Sequence, residues 1–417
     1  MDYDVVIAGA GIAGCTAAVL YGRAGLRVAL VERSTRPEAH KVVCGHFVLG
    51  GARDTLERVG LWTAMTAEGA AVSHTVALWT PAGWIMPPPD AGIPPAISLR
   101  RVKLDPLLRR LAAYTPGVDL LLGHAVTGLI HGPGGQITGI EATTPGAAPR
   151  EIRGRLVVGA DGHHSAVARL AGVAPDSAPN ERFLFWGYYR GARMNGPGDA
   201  QVWLLGSDAA VCCRTDDGLI QVGVFPTKAR LADFAADRAG AFERLVAELP
   251  DGPRLEGATR VGKLVGTTDY PCVRREPTPR PGLALVGDAA TAADPVPAVG
   301  CGWALRSAEW LVDATLPALT GHLQLARAAA IPAPPRIHRP IRQAQPPRRP
   351  STAAEPHPAR RPYRRGPRSR AGPPRRTVRH AGRAALHPGQ SGRRHPRPGQ
   401  TPPGPLSPDS VDKVRRR

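Results

Sequence analysis

The chain opens on an apolar run, Val5-Val6-Ile7-Ala8 behind Asp4, followed by small and apolar residues from Ile12 to Ala24. The run predicts a short buried strand, and the second stretch predicts a helix lying on a sheet. Arg27 to Glu32 reads R-V-A-L-V-E, a second apolar strand ending on an acid, so the first 32 residues predict one β-α-β unit. Helical spacing returns over Arg53–Leu61 and Leu104–Ala113. Val126–Thr143, interrupted by His131-Gly132-Pro133-Gly134-Gly135, predicts two antiparallel strands around a turn. Leu156–Ala160 resumes the buried-strand pattern.

From Phe183 to Phe225 the pattern changes to aromatic and alternating segments, F-L-F-W-G-Y-Y, Q-V-W-L-L, A-V-C-C and I-Q-V-G-V-F, separated by Gly and Asp pairs. Alternation with period two predicts an antiparallel sheet, hence a separate layer. A polar helix over Ala229–Leu249 and the Pro-rich approach Glu276–Pro281 lead to a last buried strand, Leu283–Val286. A loop and a helix from Gly302 to Leu316 follow, and no internal repeat is visible.

Composition divides the chain. The last 86 residues, Pro332 to Arg417, hold 22 of the 54 Lys and Arg, three of the 34 acids and 20 of the 45 prolines. So few large apolar side chains do not offset the entropy of ordering, and disorder is expected there. The remainder, with 32 basic and 31 acidic residues, is almost neutral, so the net charge of +20 says nothing about its partners. Its length suits an enzyme-sized core. No basic n-region opens the chain and no apolar stretch reaches the roughly 18 residues of a membrane span, so a cytoplasmic location is expected. The six cysteines, Cys15, Cys44, Cys212, Cys213, Cys272 and Cys301, show no C-x-x-C spacing, which predicts free thiols rather than disulfides or zinc, and no metal site is expected.

Gly9-Ala10-Gly11-Ile12-Ala13-Gly14 follows the first strand and opens the first helix, and Glu32 ends the next strand 18 residues after Gly14. The first glycine of such a turn makes the bend, the second lets a pyrophosphate approach backbone N–H groups, and the third lets helix and strand pack closely. The acid accepts from a ribose hydroxyl. Dinucleotide binding is expected here.

Two further segments indicate which dinucleotide. Gly159-Ala160-Asp161-Gly162-His163-His164-Ser165-Ala166-Val167-Ala168-Arg169 resembles the G-A-D-G-x-x-S-x-V-R segment of flavin-dependent aromatic hydroxylases, displaced by one residue at the arginine. Gly282-Leu283-Ala284-Leu285-Val286-Gly287-Asp288, followed by Asp294-Pro295 and Gly300, resembles the second flavin motif of the same glutathione-reductase-like group, whose members include halogenases and prenyl reductases. The resemblance spans residues 3–310. It implies an α/β fold in which a Rossmann-like FAD-binding domain (1–75, 98–180 and 281–331) carries an inserted antiparallel β-sheet substrate domain (76–97 and 181–280), ahead of a disordered tail (332–417).

The resemblance implies FAD contacts from Gly9, Gly11, Ile12, Ala13 and Gly14, from Glu32 and Arg33, from Arg101, and from Asp161 and Gly162. Gly287, Asp288, Pro295, Gly300, Cys301 and Gly302 complete the set. Asp288 would accept from ribityl or ribose hydroxyls, although an aspartate there also suits a helix cap. The turn before Gly302 would bring a helix N-terminus to the electron-rich end of a reduced flavin. Arg101-Val102-Lys103-Leu104-Asp105 is similar to the start of the helix whose arginine approaches the flavin. Lys41-Val42-Val43-Cys44-Gly45 is similar to the segment lying along the flavin in prenyl reductases and halogenases. Asp161 and Arg169 would share a role near FAD, or form an ordinary strand-end turn.

The activity this implies is hydroxylation of a small apolar or aromatic, polyketide-like metabolite, with NADPH or NADH reducing FAD and dioxygen as co-substrate. Reduction or halogenation on the same fold is the alternative, as is a catalytically impaired chain whose frame-shifted, basic tail binds polyanions. Trp79-Thr80-Pro81-Ala82-Gly83-Trp84-Ile85-Met86-Pro87 is not the halogenase W-x-W-x-I-P segment, and no lysine lies between Lys41 and Lys103. Spacing identifies no catalytic base. Trp186, Tyr188, Tyr189 and Trp203 suit either a substrate pocket or a core. The tail lacks interleaved aromatics, so specific nucleic-acid recognition is not expected; its Arg, Pro, Ala and Gly content fits a shifted reading frame of a GC-rich gene.

Overall fold

The structure, a computed structural model, describes residues 2–321. The Arg- and Pro-rich segment 332–417 lies outside the described residues.

The first sheet follows the opening β-α-β pattern. Its strands run in the order Val118–Leu122, Val28–Glu32, Tyr3–Ala8, Arg150–Gly159, Ile137–Thr143, Ala125–His131, with Leu283–Leu285 also pairing Arg150–Gly159. Tyr3–Ala8 pairs in parallel with both flanking strands, Val5 opposite Val28 and Leu156. The helix Ile12–Arg23 makes the crossover that parallel pairing requires, and its small residues let it bury nearly its whole length. Arg150–Gly159 is longer than its apolar run predicts. Its polar first half pairs antiparallel with Ile137–Thr143, while its apolar second half pairs in parallel with Tyr3–Ala8 and Leu283–Leu285. The edge strand Val118–Leu122 gave no signal, because it is short and half-exposed beyond its first residue.

The second sheet runs Thr259–Thr267, Leu184–Arg190, Ile220–Phe225, Asp208–Arg214, Ala200–Leu205, Val76–Thr80, Gly83–Ile85. It is antiparallel except where Ala200–Leu205 meets Val76–Thr80, with Ala200 opposite Val76. Alternation along Leu184–Arg190 divides its side chains between two clusters. Phe185 and Tyr189 pack with Phe234, Phe242 and Leu245 of the covering helices, whereas Leu184, Trp186 and Tyr188 take the other face. A third, small sheet joins Phe47–Val48, Ala96–Ser98 and Ala71–Ser73.

Three helices differ from the expected spans for local reasons. The predicted Arg53–Leu61 helix stops at Arg58, and Gly60 at φ +76° precedes a separate helix, Leu61–Ala67. The predicted Ala229–Leu249 helix is divided at Asp237, whose carboxylate accepts from the N–H of Gly240 at 2.9 Å and caps Arg238–Ala247. The last helix begins at Gly300 and runs to Leu319, packing along the first helix through a 2.6 Å hydrogen bond between Tyr21 and Thr315. Among the described residues no helix is long and apolar enough to cross a membrane.

Candidate functional site

The glycine turn is built by close approach. Gly9 sits at φ +104°, and a Cβ there would lie 2.5 Å from the carbonyl oxygen of Ala160; one at Gly14 would lie 1.8 Å from the carbonyl oxygen of Gly9. Gly11 is different: nothing lies within 4 Å of its Cβ position. It is the N-cap residue of the first helix, and no side chain caps that end. The helix therefore presents its orphan N–H groups and positive dipole end to open space, the arrangement a pyrophosphate fills. Ile12 and Ala13 are buried beneath it. Glu32 holds the facing strand end, accepting from the N–H of Ala10 and of Ser34, each at 3.0 Å. Arg33 is exposed beside it.

The late motif meets this turn directly. A Cβ on Gly287, at φ +58°, would come within 3.0 Å of the Ala13 methyl. The Gly287 N–H donates to Ser307 of the last helix at 2.9 Å. The next residue, Asp288, is ion-paired with Lys41 at 2.6 Å, the two side chains being 18% and 34% exposed. Burial works against the lysine's charge, but Asp288, together with Tyr270 and Cys44, outweighs it and raises the Lys41 pKa. The 41–45 segment resembles a flavin-lining one, but the pairing of Lys41 with Asp288 spans 247 residues and has no local signature.

A second polar cluster adjoins the first. The guanidinium of Arg101 is buried, donating from Nε to Asp105 at 2.6 Å and from a terminal nitrogen to the Cys44 sulfur at 3.2 Å. Asp105 also accepts from the Lys41 N–H at 2.9 Å. The R-x-x-L-D helix start thus fixes segment 41–46 with both its charged side chains. Cys44 lies 3.6 Å, sulfur to sulfur, from Cys301 in the first turn of the last helix. Pro295 and Gly302 flank that turn half-buried, while Gly300 has open space at its Cβ position.

Asp161 takes a capping position: it accepts from the Ser165 hydroxyl at 2.5 Å and the Val167 N–H at 3.1 Å. Gly162, at φ +83°, completes that turn. Arg169 is exposed on the short helix that follows and is not paired with Asp161. Arg275 ties the 161–164 turn to the late motif, donating to the carbonyls of His163 and Ala289 at 2.9 and 3.0 Å.

Facing these loops is the second side of the antiparallel sheet. Leu184, Trp186, Tyr188, Val211 and Val265 cluster with Val43, Tyr270 and Val296. Trp186 donates to the Tyr188 hydroxyl at 3.1 Å, and the Tyr188 ring stacks on His46 at a centroid distance of 5.7 Å. His46 adopts φ +42°, rare for a non-glycine residue, and its Nε2 is buried without a hydrogen-bond partner. Burial pulls its pKa down to about 4, so the ring is neutral at physiological pH. Neither His46 nor Tyr270 has a sequence signal, since each reaches the site through contacts with distant segments rather than through a motif. Trp203 and Tyr189, unlike Trp186 and Tyr188, fill the core under the helices. Trp84 packs edge-on against Trp203. A surface cavity of about 360 Å³ lined by Arg193, Arg254 and Glu256 shares no residue with this site.

All six cysteines are free thiols. Among the described residues no group of three or more His, Cys, Asp or Glu side chains is arranged to hold a metal ion.

Comparison with known proteins agrees with this geometry. The FAD binding domain family matches residues 2–186. The chain is 27% identical over 315 residues to the 6-methylpretetramide 4-monooxygenase of Streptomyces rimosus, covering 73% of each chain. It is 28% identical over 321 residues to a digeranylgeranylglycerophospholipid reductase of Methanococcoides burtonii, covering 70% of this chain and 69% of that one. Among solved structures, the myxobacterial chondrochloren halogenase CndH superposes with a TM-score of 0.69 at 22% identity, over 78% of this chain and 77% of that one. PqsL of Pseudomonas aeruginosa, solved with 2-aminobenzoylacetate, gives 0.65 at 21% identity over 78% and 89%. The two structures establish likeness of fold, while the family match over residues 2–186 and the sequence relatives carry the assignment: this chain is an FAD-dependent oxidoreductase with an FAD binding domain, similar to monooxygenases and to geranylgeranyl reductases.

Proposed function

We propose that the protein is a monooxygenase that uses NADH or NADPH and dioxygen to hydroxylate a small apolar or aromatic, polyketide-like metabolite. The observation that carries this reading is the apolar sheet face of Trp186, Tyr188, Val211 and Val265 turned onto Val43, Tyr270 and Val296, the segments beside Cys44 and the last helix. A flat apolar substrate suits that surface, which offers aromatic rings for stacking and few unsatisfied polar groups.

In this reading Gly9, Gly11, Ile12, Ala13 and Gly14 hold the pyrophosphate and Glu32, beside Arg33, the adenosine ribose. Gly287 and Asp288 take the ribityl chain, with Asp161 and Gly162 supporting the neighbouring loop. Pro295, Gly300, Cys301 and Gly302 place the N-terminus of the last helix at the isoalloxazine, with Arg101 behind Cys44. Bound FAD would accept a hydride from the nicotinamide and activate dioxygen. The chain's own part is to exclude water with the apolar face and to offer a neutral His46, its ring Nε2 buried and unpartnered, beside Tyr188. The division into an FAD-binding domain (1–75, 98–180, 281–331) and a substrate domain (76–97, 181–280) belongs to the same proposal.

The likeness to a pretetramide monooxygenase favours an aromatic polyketide as substrate. Purified protein given NADPH or NADH, ¹⁸O₂ and a panel of aromatic polyketides tests this. A product carrying one ¹⁸O atom supports hydroxylation. Saturation of a substrate double bond without oxygen uptake, or a product that forms only with added halide, overturns it.

A further inference from the structure

Two thiols from distant parts of the chain meet at one end of the site. The sulfurs of Cys44, in the segment entering Phe47–Val48, and Cys301, in the last helix, are 3.6 Å apart. Cys44 is surrounded by donors: the Arg101 guanidinium at 3.2 Å and the His46 N–H at 3.4 Å both point at its sulfur. The hydrogen bond from Cys301 holds the Cys44 thiol well below its ordinary range against the effect of burial, helped by the charges of Arg101 and Lys41, and the same contact pushes Cys301 up. An activated sulfur therefore faces a second sulfur that keeps its proton.

The other four cysteines differ. Cys15 is fully buried and donates to the carbonyl of Ala10, and Cys213 is buried beside Gln221. Burial raises the pKa of both, and of Cys212 and Cys272.

We propose that Cys44 and Cys301 are a peroxide-oxidisable pair that closes reversibly to a disulfide, tying segment 41–46 to the amino end of the last helix. Hydrogen peroxide is the oxidant, the compound that dioxygen yields when it takes two electrons from a reduced flavin without oxygenating a substrate. The Cys44 thiolate attacks one peroxide oxygen, the O–O bond breaks, and hydroxide leaves as water after taking a proton. The resulting sulfenic acid is attacked by Cys301, forming the S–S bond and releasing a second water with the Cys301 proton. Two thiols lose two electrons and one peroxide becomes two waters. The sulfurs need to approach by about 1.5 Å to reach disulfide length. Closure removes the sulfur anion from Arg101 and leaves that guanidinium paired with Asp105 alone. The inference rests on sulfur geometry and does not require the monooxygenase reading, because the oxidant is supplied in the test.

Reduced full-length protein is treated with equimolar hydrogen peroxide, denatured and alkylated, digested without reductant and mapped by mass spectrometry. The titre of alkylatable thiols is expected to fall from six to four per chain, with a single cross-linked peptide pair containing Cys44 and Cys301 that dithiothreitol reverses. Cys301→Ser is expected to leave a Cys44 sulfenic acid that dimedone traps, and Cys213→Ser to leave the cross-link unchanged. An unchanged thiol titre, a cross-link through any other cysteine, or irreversible Cys44 oxidation in the unmodified chain overturns the proposal. If Cys301→Ser does not fold, the peptide map of the unmodified chain decides alone.

Discussion

Lys41 donates to Asp288 at 2.6 Å, so the carboxylate expected to grip a ribityl chain is held by a lysine 247 residues away. FAD and Lys41 then compete for one acceptor. Lys41→Met is expected to tighten FAD binding about 2- to 5-fold, the scale of a partly exposed ion pair, and Asp288→Asn to weaken it by a similar or larger factor. Titration followed by flavin fluorescence checks both. Equal weakening by the two substitutions would show that the pair supports the loop instead of competing.

The glycines of the first turn do different work. Gly14 has no room for a methyl group, with 1.8 Å to the Gly9 carbonyl, so Gly14→Val is expected to cost about 3 kcal/mol or more and to leave little folded protein. Gly9→Ala adds a positive φ to its 2.5 Å overlap with Ala160 and should behave similarly. Denaturant midpoints compared with Gly11→Ala, which meets nothing, give the measurement.

His46 gives stability a pH dependence of known sign. In the unfolded chain it takes a proton near pH 6.5, whereas folded it stays neutral down to about 4. The unfolded state therefore binds more protons between those values, and stability falls as pH drops from about 6.5 to 4, levelling off below. The full effect is on the order of 3 kcal/mol. His46→Gln should flatten this part of a stability–pH curve, and an unchanged slope would contradict the burial assignment.

Asp216 is fully buried where the antiparallel sheet meets the helix beginning at Arg101. It accepts from the Arg100 N–H at 2.9 Å and from its guanidinium at 2.7 and 2.9 Å, with Lys103 at 3.4 Å. Burial alone would raise its pKa, but these bonds outweigh it and hold the carboxyl at about 2. Asp216→Asn leaves Arg100 short of a partner and should cost about 3 kcal/mol at neutral pH. The loss is to be read from urea unfolding at pH 7; below about pH 2 the two proteins should converge, because the native carboxylate is then protonated.

Much of this was legible in sequence because it is local. The Gly9–Gly14 turn, the Glu32 strand end and the Leu283–Val286 strand each carry their geometry in consecutive residues, so spacing reports them. The pairings Lys41 with Asp288, Cys44 with Cys301 and His46 with Tyr188 join segments separated by 142 to 257 residues, and only the folded chain brings them together. Strand alternation predicted the antiparallel layer but not which face of Leu184–Arg190 meets the site. That choice is made by Phe234, Phe242 and Leu245, which occupy the opposite side. The hairpin Val76–Ile85 joined that sheet through parallel pairing, a long-range arrangement with no local signal.

The claim beneath all of these is that the open space at Gly11 and the carboxylate of Asp288 serve one elongated molecule. Equilibrium binding of FAD to the purified chain and to Gly11→Leu, measured by absorbance near 450 nm after removal of free flavin, tests it directly. One FAD per chain is expected for the unmodified protein, and none for Gly11→Leu at unchanged thermal stability. Stoichiometric FAD retained by folded Gly11→Leu, or no FAD taken up by the unmodified chain at saturating concentration, would contradict it.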